Sequence, residues 1–330
     1  MGSYRLLLAI AVMLSHVWGG FLGHNQGVAA VVSFFLLSGF VMTALIRRNY
    51  NSIDRVGMFY VDRVMRLFPQ FLFYLVATII LFKVAHPVSP FLSGLTIFKV
   101  LLNFLMLPLG FFMYGLVDAL LIPPSWSLGL ELTFYLAIPF ILIYRLEKYA
   151  FAISVVIFML AYFSVINTDT FGYRLLPGTL FIFLCGSFLY KLESTKRKAT
   201  LIGSFIIAAI MFEAVRKVPS LQVFFNYEVL IGLLIGLPVV AVLSRYKSGL
   251  VDETLGNISY GVFLNHNFVM WTARCMGMDT GKPGSIVLLI LVSIMLAWVT
   301  YMLIERPVIH YRRKLRRKAD GNAALLPQAI

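Results

Sequence analysis

The stretch Arg5-Leu-Leu-Leu-Ala-Ile-Ala-Val-Met-Leu-Ser-His16-Val-Trp-Gly-Gly-Phe-Leu22 has the length and apolarity of a membrane helix, yet it carries two residues that hydrocarbon tolerates badly. Arg5 and His16 are eleven positions apart. That is about three turns at 3.6 residues per turn, so both project from nearly the same helix face. The rise between them is ~16 Å, which places a cation at one membrane surface and an imidazole deep in the bilayer. Two readings stand for the pair. Either Arg5 snorkels to headgroups and His16 makes a satisfied interhelical hydrogen bond, or the two mark a site.

Working outward, the same texture covers the chain. Its 330 residues are 60% hydrophobic and 13% charged, with a mean hydropathy of +0.89. No soluble domain has that balance, and the alternating segments of an outer-membrane barrel are absent, so the expected fold is an all-α, polytopic membrane helical bundle. Apolar stretches predict about ten transmembrane helices, at 6–22, 28–46, 67–84, 127–144, 150–167, 174–190, 200–215, 222–243, 258–275 and 285–304. With the N-terminus inside, the inner loops hold all of the 28 basic residues except Lys83, Lys99, Arg174, Arg216, Lys217, Arg274 and Lys282. That bias orients the protein with N- and C-termini cytoplasmic and requires an even number of spans. The formal charge of +14 therefore reports orientation and membrane lipids rather than nucleic acid.

Residues 85–126 interrupt the pattern with Pro87, Pro90, Gly94, Pro108, Gly110, Gly115 and Pro123-Pro124. A full crossing there would put Arg145 and Lys148 outside, so the segment reads as an outer loop with an interfacial or re-entrant helix; two short crossings would keep the same orientation. Pro139, Pro177 and Pro238 fall inside spans and predict kinks. Domain organisation reads as one transmembrane unit over 1–310 followed by a basic, partly disordered cytoplasmic tail over 311–330, its charges suited to anionic lipid. Cys185 and Cys275 lie in different spans, with neither disulfide nor metal spacing, and no metal site is expected. No signal-peptide cleavage site follows the first span, and position 6 is Leu6, unlike a myristoylation signal.

The polar residues inside the spans are few. Ser38 and Gly39 in the second span suit close helix packing. Arg63 and Arg66 are i, i+3 neighbours at the inner surface; two guanidiniums so placed suit capture of phosphate, and also suit ordinary positive-inside decoration. Trp126 fits the outer aromatic belt, and Glu131 lies about one turn below it with Tyr135 at i+4 on the same face. A carboxylate in hydrocarbon needs a partner or a wet cavity. His266 sits ~12 Å into the ninth span, as a core hydrogen-bonder or a proton carrier. Glu305 and Arg306 read as an inner-interface anchor.

In order along the chain stand Arg5–ten residues–His16; Phe34-Phe35 with Leu37-Ser38-Gly39-Phe40; Arg63-x-x-Arg66 before Pro69; Trp126-Ser127-Leu128 with Glu131 and Tyr135; Ile258-Ser259-Tyr260 with Leu264 and His266; and Ile304-Glu305-Arg306-Pro307. This series resembles the acyltransferase-3 family of bacterial membrane acyltransferases and covers nearly the entire chain. The sequence departs from the family's pattern at Ala30-Val31-Val32, where Gly-Val-Asp is frequent, at Phe263 in place of Tyr, and at Asn265 in place of an aromatic; these departures bear on the acceptor. It also ends without the extracytoplasmic hydrolase-like domain that some relatives carry.

The resemblance implies a membrane O-acyltransferase in the bacterial cytoplasmic (inner) membrane. It would move an acyl group, acetyl foremost, from cytoplasmic acyl-CoA to a hydroxyl of an extracytoplasmic glycan. Acyl-CoA is then a donor substrate and no bound cofactor is implied; the partners are that donor, a carbohydrate acceptor and membrane lipids. Arg5, Arg63 and Arg66 would hold the donor phosphates, and His16 would be the base, with Glu131 and His266 assisting it. Trp126 and Tyr135 would meet substrate. From the residues alone a second class remains, a proton-coupled transporter of a glycan or lipid-linked sugar using His16, Glu131 and His266 as a relay.

Overall fold

The computed structural model describes residues 1–20, 23–190 and 195–312; of the tail expected over 311–330, Tyr311 and Arg312 are helical and 313–330 lie outside the described residues. Eleven α-helices and short 3-10 and π turns account for the described chain: α1 (Gly2–Trp18), α2 (Gln26–Asn49), α3 (Val56–Ala85), α4 (Ile97–Leu105), α5 (Ser125–Ile143), α6 (Glu147–Tyr162), α7 (Leu176–Leu189), α8 (Thr195–Lys217), α9 (Asn226–Leu243), α10 (Leu250–Cys275) and α11 (Pro283–Thr300). Seven helical stretches, containing α2, α3, α5, α7, α8, α9 and α11, are long and apolar enough to cross a membrane. The chain is a polytopic helical membrane protein. Of the remaining long helices, α1 has 17 residues, α6 has 16, and α10 is long but studded with polar side chains.

The interrupted segment before α5 holds, as helix, only the nine residues of α4 and two 3-10 stretches, Pro90–Leu92 and Leu107–Tyr114. Nine residues rise ~14 Å, less than half a hydrocarbon core of about 30 Å. It is nonetheless fixed. The buried Asn103 amide donates to the Lys99 and Ala119 carbonyls at 2.8 Å each, and its oxygen accepts from Leu121 N–H at 3.1 Å. Lys99 pairs with Asp118 at 2.7 Å, which draws the Asp118 carboxyl below its ordinary range. Pro177, expected inside a span, stands in the first turn of α7, where its missing N–H has no intrahelical bond to lose; Pro69, Pro139 and Pro238 are the interior prolines.

Two contacts organise the bundle. Helices α2 and α7 meet backbone to backbone: a Cβ on Gly39 would lie 1.8 Å from the Phe183 carbonyl oxygen, and one on Gly186 would lie 1.9 Å from that of Leu36. Small residues permit this approach where apolar burial supplies no drive between helices. Phe183 then stacks between Phe35 at 4.6 Å and Phe134 at 4.2 Å, tying α5 to the pair.

Helices α1 and α10 run parallel. At their starts, a Cβ on Gly2 would lie 1.6 Å from the Asp252 carbonyl oxygen, and the Asp252 carboxylate accepts from the Met1 amino group at 2.8 Å, Gly2 N–H at 2.9 Å, Ser3 N–H at 2.8 Å, and the Ser3 and Ser248 hydroxyls at 2.6 Å each. Partial burial works to raise the Asp252 carboxyl, but these donors outweigh it and hold the group well below the usual carboxylate range.

Two stability outcomes are expected. Gly39→Ala destabilises the detergent-solubilised protein by about 1–3 kcal/mol, read as a lowered melting temperature, because backbone opposes the new methyl. Gly57→Ala, with open space around its Cβ, does not. Asp252→Asn costs about 1–3 kcal/mol at pH 7. A carboxyl depressed by folding stabilises above its unfolded pKa, about 3.9, so the gap in melting temperature between wild type and Asp252→Asn holds at neutral pH and shrinks only as pH falls below about 4.

Candidate active site

The α1–α10 seam and three neighbouring helices enclose a cavity of about 470 Å³. It opens at the end where α1 and α10 begin, past the exposed Ser248 and Glu253, and runs inward to Phe34, Ser127 and Phe263. Arg5, Arg63, Arg66, Glu131, Tyr135 and Tyr260 all line it. Three of the residues assigned from sequence to donor phosphates and two of those assigned to catalysis or substrate therefore share one chamber.

Its charges are graded by their partners. Arg63 is buried, bonded to Asp62, and lies 5.9 Å from the ring centroids of both Phe59 and Tyr135. The same Asp62 carboxylate takes three hydrogen bonds from Arg312, at 2.9 to 3.1 Å. Arg66 pairs with Glu305, and its guanidinium stands 5.4 Å from the centre of the Tyr260 ring. Arg5 differs: it makes no hydrogen bond or ion pair with a side chain among the described residues, yet it feels Arg66, Glu131 and Arg63. Paired guanidiniums in this setting avoid the cost of isolated buried charge, and one cation remains for an anionic guest.

Glu131 accepts from the Ser38 hydroxyl and the Tyr135 hydroxyl, each at 2.5 Å and both on Oε1. Among the described residues neither imidazole bonds to it, so Glu131 belongs with the arginines rather than with the histidines. The i, i+4 pairing with Tyr135 is the one read from helical spacing.

The two histidines meet at the other end of the seam. His16 Nδ1 lies 3.1 Å from His266 Nε2, with ring centroids 5.0 Å apart. Asn267 Nδ2 lies 2.8 Å from the same His266 Nε2. Neither histidine lines the cavity. The Phe263 ring stands edge-on to His266 at 6.3 Å and to Phe34 at 5.8 Å; both phenyl groups line the inner end of the chamber, and Phe263 also touches the histidine pair.

Trp126 is placed elsewhere. Its ring packs 4.9 Å from the Arg174 guanidinium, which Phe112, Tyr173 and Phe225 also surround at 5.0 to 5.5 Å, while Arg174 Nε donates to Asp169 at 2.7 Å. Tyr135 is nine residues further along α5, ~14 Å away by helical rise. The structure does not bring Trp126 to the other assigned residues.

Sequence reasoning missed Asp62, Arg312 and Asn267. Asp62 precedes Arg63, and adjacent helix positions face different directions, so nothing local announces that it bonds Arg63 and Arg312. Arg312 stands at the head of a run of basic residues that are alike on paper.

A membrane-embedded chamber lined with arginines, adjoining a paired histidine, defines an integral-membrane enzyme of the acyl-transferring class once the comparisons are added. The chain belongs to the acyltransferase 3 family, whose acyltransferase domain matches residues 4–303. It is similar to an uncharacterized protein of Aquifex aeolicus, 33% identical over 202 residues that cover 59% of this chain and 91% of that one. It is also similar to a Staphylococcus aureus protein named "Putative O-acetyltransferase", 23% identical over 374 residues, covering 99% of this chain but only 59% of that protein's length. No solved structure matches.

Removing the shared carboxylate tests the charge arrangement. Asp62→Asn leaves Arg63 and Arg312 buried with one partner fewer and is expected to cost about 3–5 kcal/mol in unfolding experiments. Adding Arg312→Met recovers part of that loss; strictly additive effects would show that the two side chains are not coupled.

Proposed function

We propose that the chain is a ten-span O-acyltransferase of the bacterial cytoplasmic membrane, with α1, α6 and α10 spanning beside the seven long apolar stretches and both ends cytoplasmic. The parallel course of α1 and α10 supports this topology: residues 85–126 then contribute no crossing, and the ninth span runs in the same sense as the first. The acyltransferase unit runs through 1–310 and takes in Arg312, which is bonded to Asp62 beside the chamber, and the basic tail follows it. The cavity then opens to the cytoplasm, where an acyl-CoA is available, and acetyl-CoA is the simplest donor.

The observation that carries the reading is the continuity of one helix seam from the arginine-lined chamber to the histidine pair. Phosphates of the donor engage Arg5 first, then Arg63 and Arg66. Glu131 Oε1 is occupied by Ser38 and Tyr135, which leaves Oε2 to accept an amide N–H from the donor's arm. The thioester reaches past Phe34 and Phe263 to His16. There a hydroxyl of an extracytoplasmic glycan attacks the thioester carbonyl carbon while the imidazole takes its proton. The tetrahedral intermediate collapses, the carbon–sulfur bond breaks, and the proton passes to the departing thiolate. The products are an O-acylated glycan and free CoA.

The direct test is acyl-CoA turnover by purified protein in detergent with a carbohydrate acceptor, matched by mass spectrometry of surface polysaccharide from cells. His16→Ala at equal membrane abundance is expected to lower turnover by about 10²- to 10⁴-fold. Arg63→Met raises KM for acyl-CoA more than it lowers kcat. Undiminished acylation in His16→Ala would remove His16 as the base, and a protein that moves carbohydrate without consuming acyl-CoA would be a carrier.

A further inference from the structure

Resting on the reading of His16 as the base, the hydrogen bonds around it decide which of its two nitrogens does the work. Both rings are held against their own helices. His16 Nδ1 lies 3.0 Å from the Val12 carbonyl oxygen and His266 Nδ1 lies 3.2 Å from that of Val262. A carbonyl only accepts, so a bonded nitrogen facing it carries the proton. With its proton on Nδ1, neutral His266 presents Nε2 as an acceptor. Two donors converge on that atom: the Asn267 side-chain amide at 2.8 Å and His16 Nδ1 at 3.1 Å. The single His16 Nδ1 hydrogen is then shared between the Val12 carbonyl and His266 Nε2, and the single Nε2 lone pair of His266 is shared by His16 and Asn267, so that every contact joins a hydrogen to a lone pair. The opposite tautomer of either ring would set a bare nitrogen lone pair against a carbonyl oxygen. A doubly protonated His266 would need a carboxylate, and Glu131 bonds to Ser38 and Tyr135 instead.

We propose that His266 and Asn267 are positioning residues that lock His16 in the Nδ1–H tautomer, so that His16 Nε2 is the atom that accepts the hydroxyl proton. Among the described residues Nε2 of His16 has no hydrogen-bond partner, and the ring is half-buried, whereas His266 is only 1% exposed. The buried ring orients; the more open ring reacts. When His16 Nε2 takes the proton, the charge on the ring is shared toward the Val12 carbonyl and His266 Nε2 through the hydrogen already on Nδ1, and it leaves again with the departing thiolate. His266 neither gains nor loses a proton in the cycle.

The rotation of α10 that makes this possible is itself fixed. Asn265, one position before His266, donates to the Tyr74 hydroxyl at 3.2 Å and the Ser293 carbonyl at 3.0 Å, and accepts from the Ser293 hydroxyl at 2.5 Å. Successive helix positions turn by about 100°, so anchoring Asn265 on α3 and α11 leaves His266 facing α1.

The test uses full-length protein in detergent, labelled with ¹⁵N in its histidine rings and assigned by comparison with His16→Ala. Wild type is expected to show His16 with a pyrrole-type Nδ1 and a pyridine-type Nε2. His266→Leu leaves the His16 ring exchanging between tautomers and lowers kcat by about 10²-fold with KM for acyl-CoA within about twofold. His266→Gln, which returns a neutral acceptor to His16 Nδ1, recovers about tenfold or more of the lost kcat. A wild-type His16 protonated on Nε2 would overturn the proposal, as would His266→Gln being no better than His266→Leu, since His266 would then be moving a proton itself. The wild-type spectrum decides the tautomer even where His266→Leu fails to fold. Failure of the base reading looks different: His16→Ala would keep its turnover while the Nδ1–H tautomer stood in the spectrum.

Discussion

The parallel contact between α1 and α10 is the constraint from which the site follows. It is closed at one end by backbone touching backbone at Gly2 and by the Asp252 carboxylate, and at the other by the pairing of two imidazoles. Between these fixed points the helices have no freedom to rotate independently, so Arg5 and His16 keep a common orientation and Tyr260 and His266 face them. An interface of small residues and hydrogen bonds is what association within a bilayer permits, because lipid tails offer apolar side chains as much as a neighbouring helix does. The same features that hold the seam together place its functional groups.

Charge in the chamber is managed by partial neutralisation. Asp62 serves Arg63 and Arg312 together, and Glu305 serves Arg66. Three guanidiniums stripped of water without carboxylates would cost several kcal/mol each, and the bundle would have to open to hydrate them. Fully neutralised arginines, on the other hand, would bind no phosphate. Five carboxylates, Asp62, Glu131, Asp252, Glu253 and Glu305, stand in or beside the chamber against four arginines and the Met1 amino group, so the formal charges balance; Asp62, Glu305 and Asp252 are each bonded to a cation, and among the described residues Arg5 is left without a bonded carboxylate. In the proposed donor-binding role, an anion would be drawn first to that uncompensated guanidinium rather than to a net charge of the chamber.

How much of this was legible in the sequence depends on distance along the chain. The common face of Arg5 and His16, the pairing of Glu131 with Tyr135, and the failure of residues 85–126 to form a full span all follow from helical period, reach and proline placement, which are local properties. Contacts across the bundle are not local. His16 and His266 are 250 positions apart, as are Asp62 and Arg312, and nothing in either neighbourhood says that they meet. Two positions that depart from the family's pattern turn out to be structural: Phe263 sets its ring against Phe34, and Asn265 anchors α10. Trp126 shows the converse. An aromatic at a helix start reads equally as belt, substrate platform or packing, and nothing local announces that Trp126 joins Phe112, Tyr173 and Phe225 around Arg174.

In the proposed reaction, the Phe34–Phe263 pair at the inner end of the chamber would separate two kinds of chemistry that would otherwise interfere. On its arginine side, strongly hydrated anions must be admitted, and water comes with them. On its histidine side, an acyl group must meet a hydroxyl rather than water, because hydrolysis of the thioester would waste the donor. Two phenyl groups in edge-to-face contact would disfavour water and charged phosphates there, and would yield to a slender uncharged chain by side-chain rotation, since each ring moves about only two torsions. A donor whose charge is gathered at one end and whose reactive group rides on a neutral arm is the kind of molecule such a pair would select.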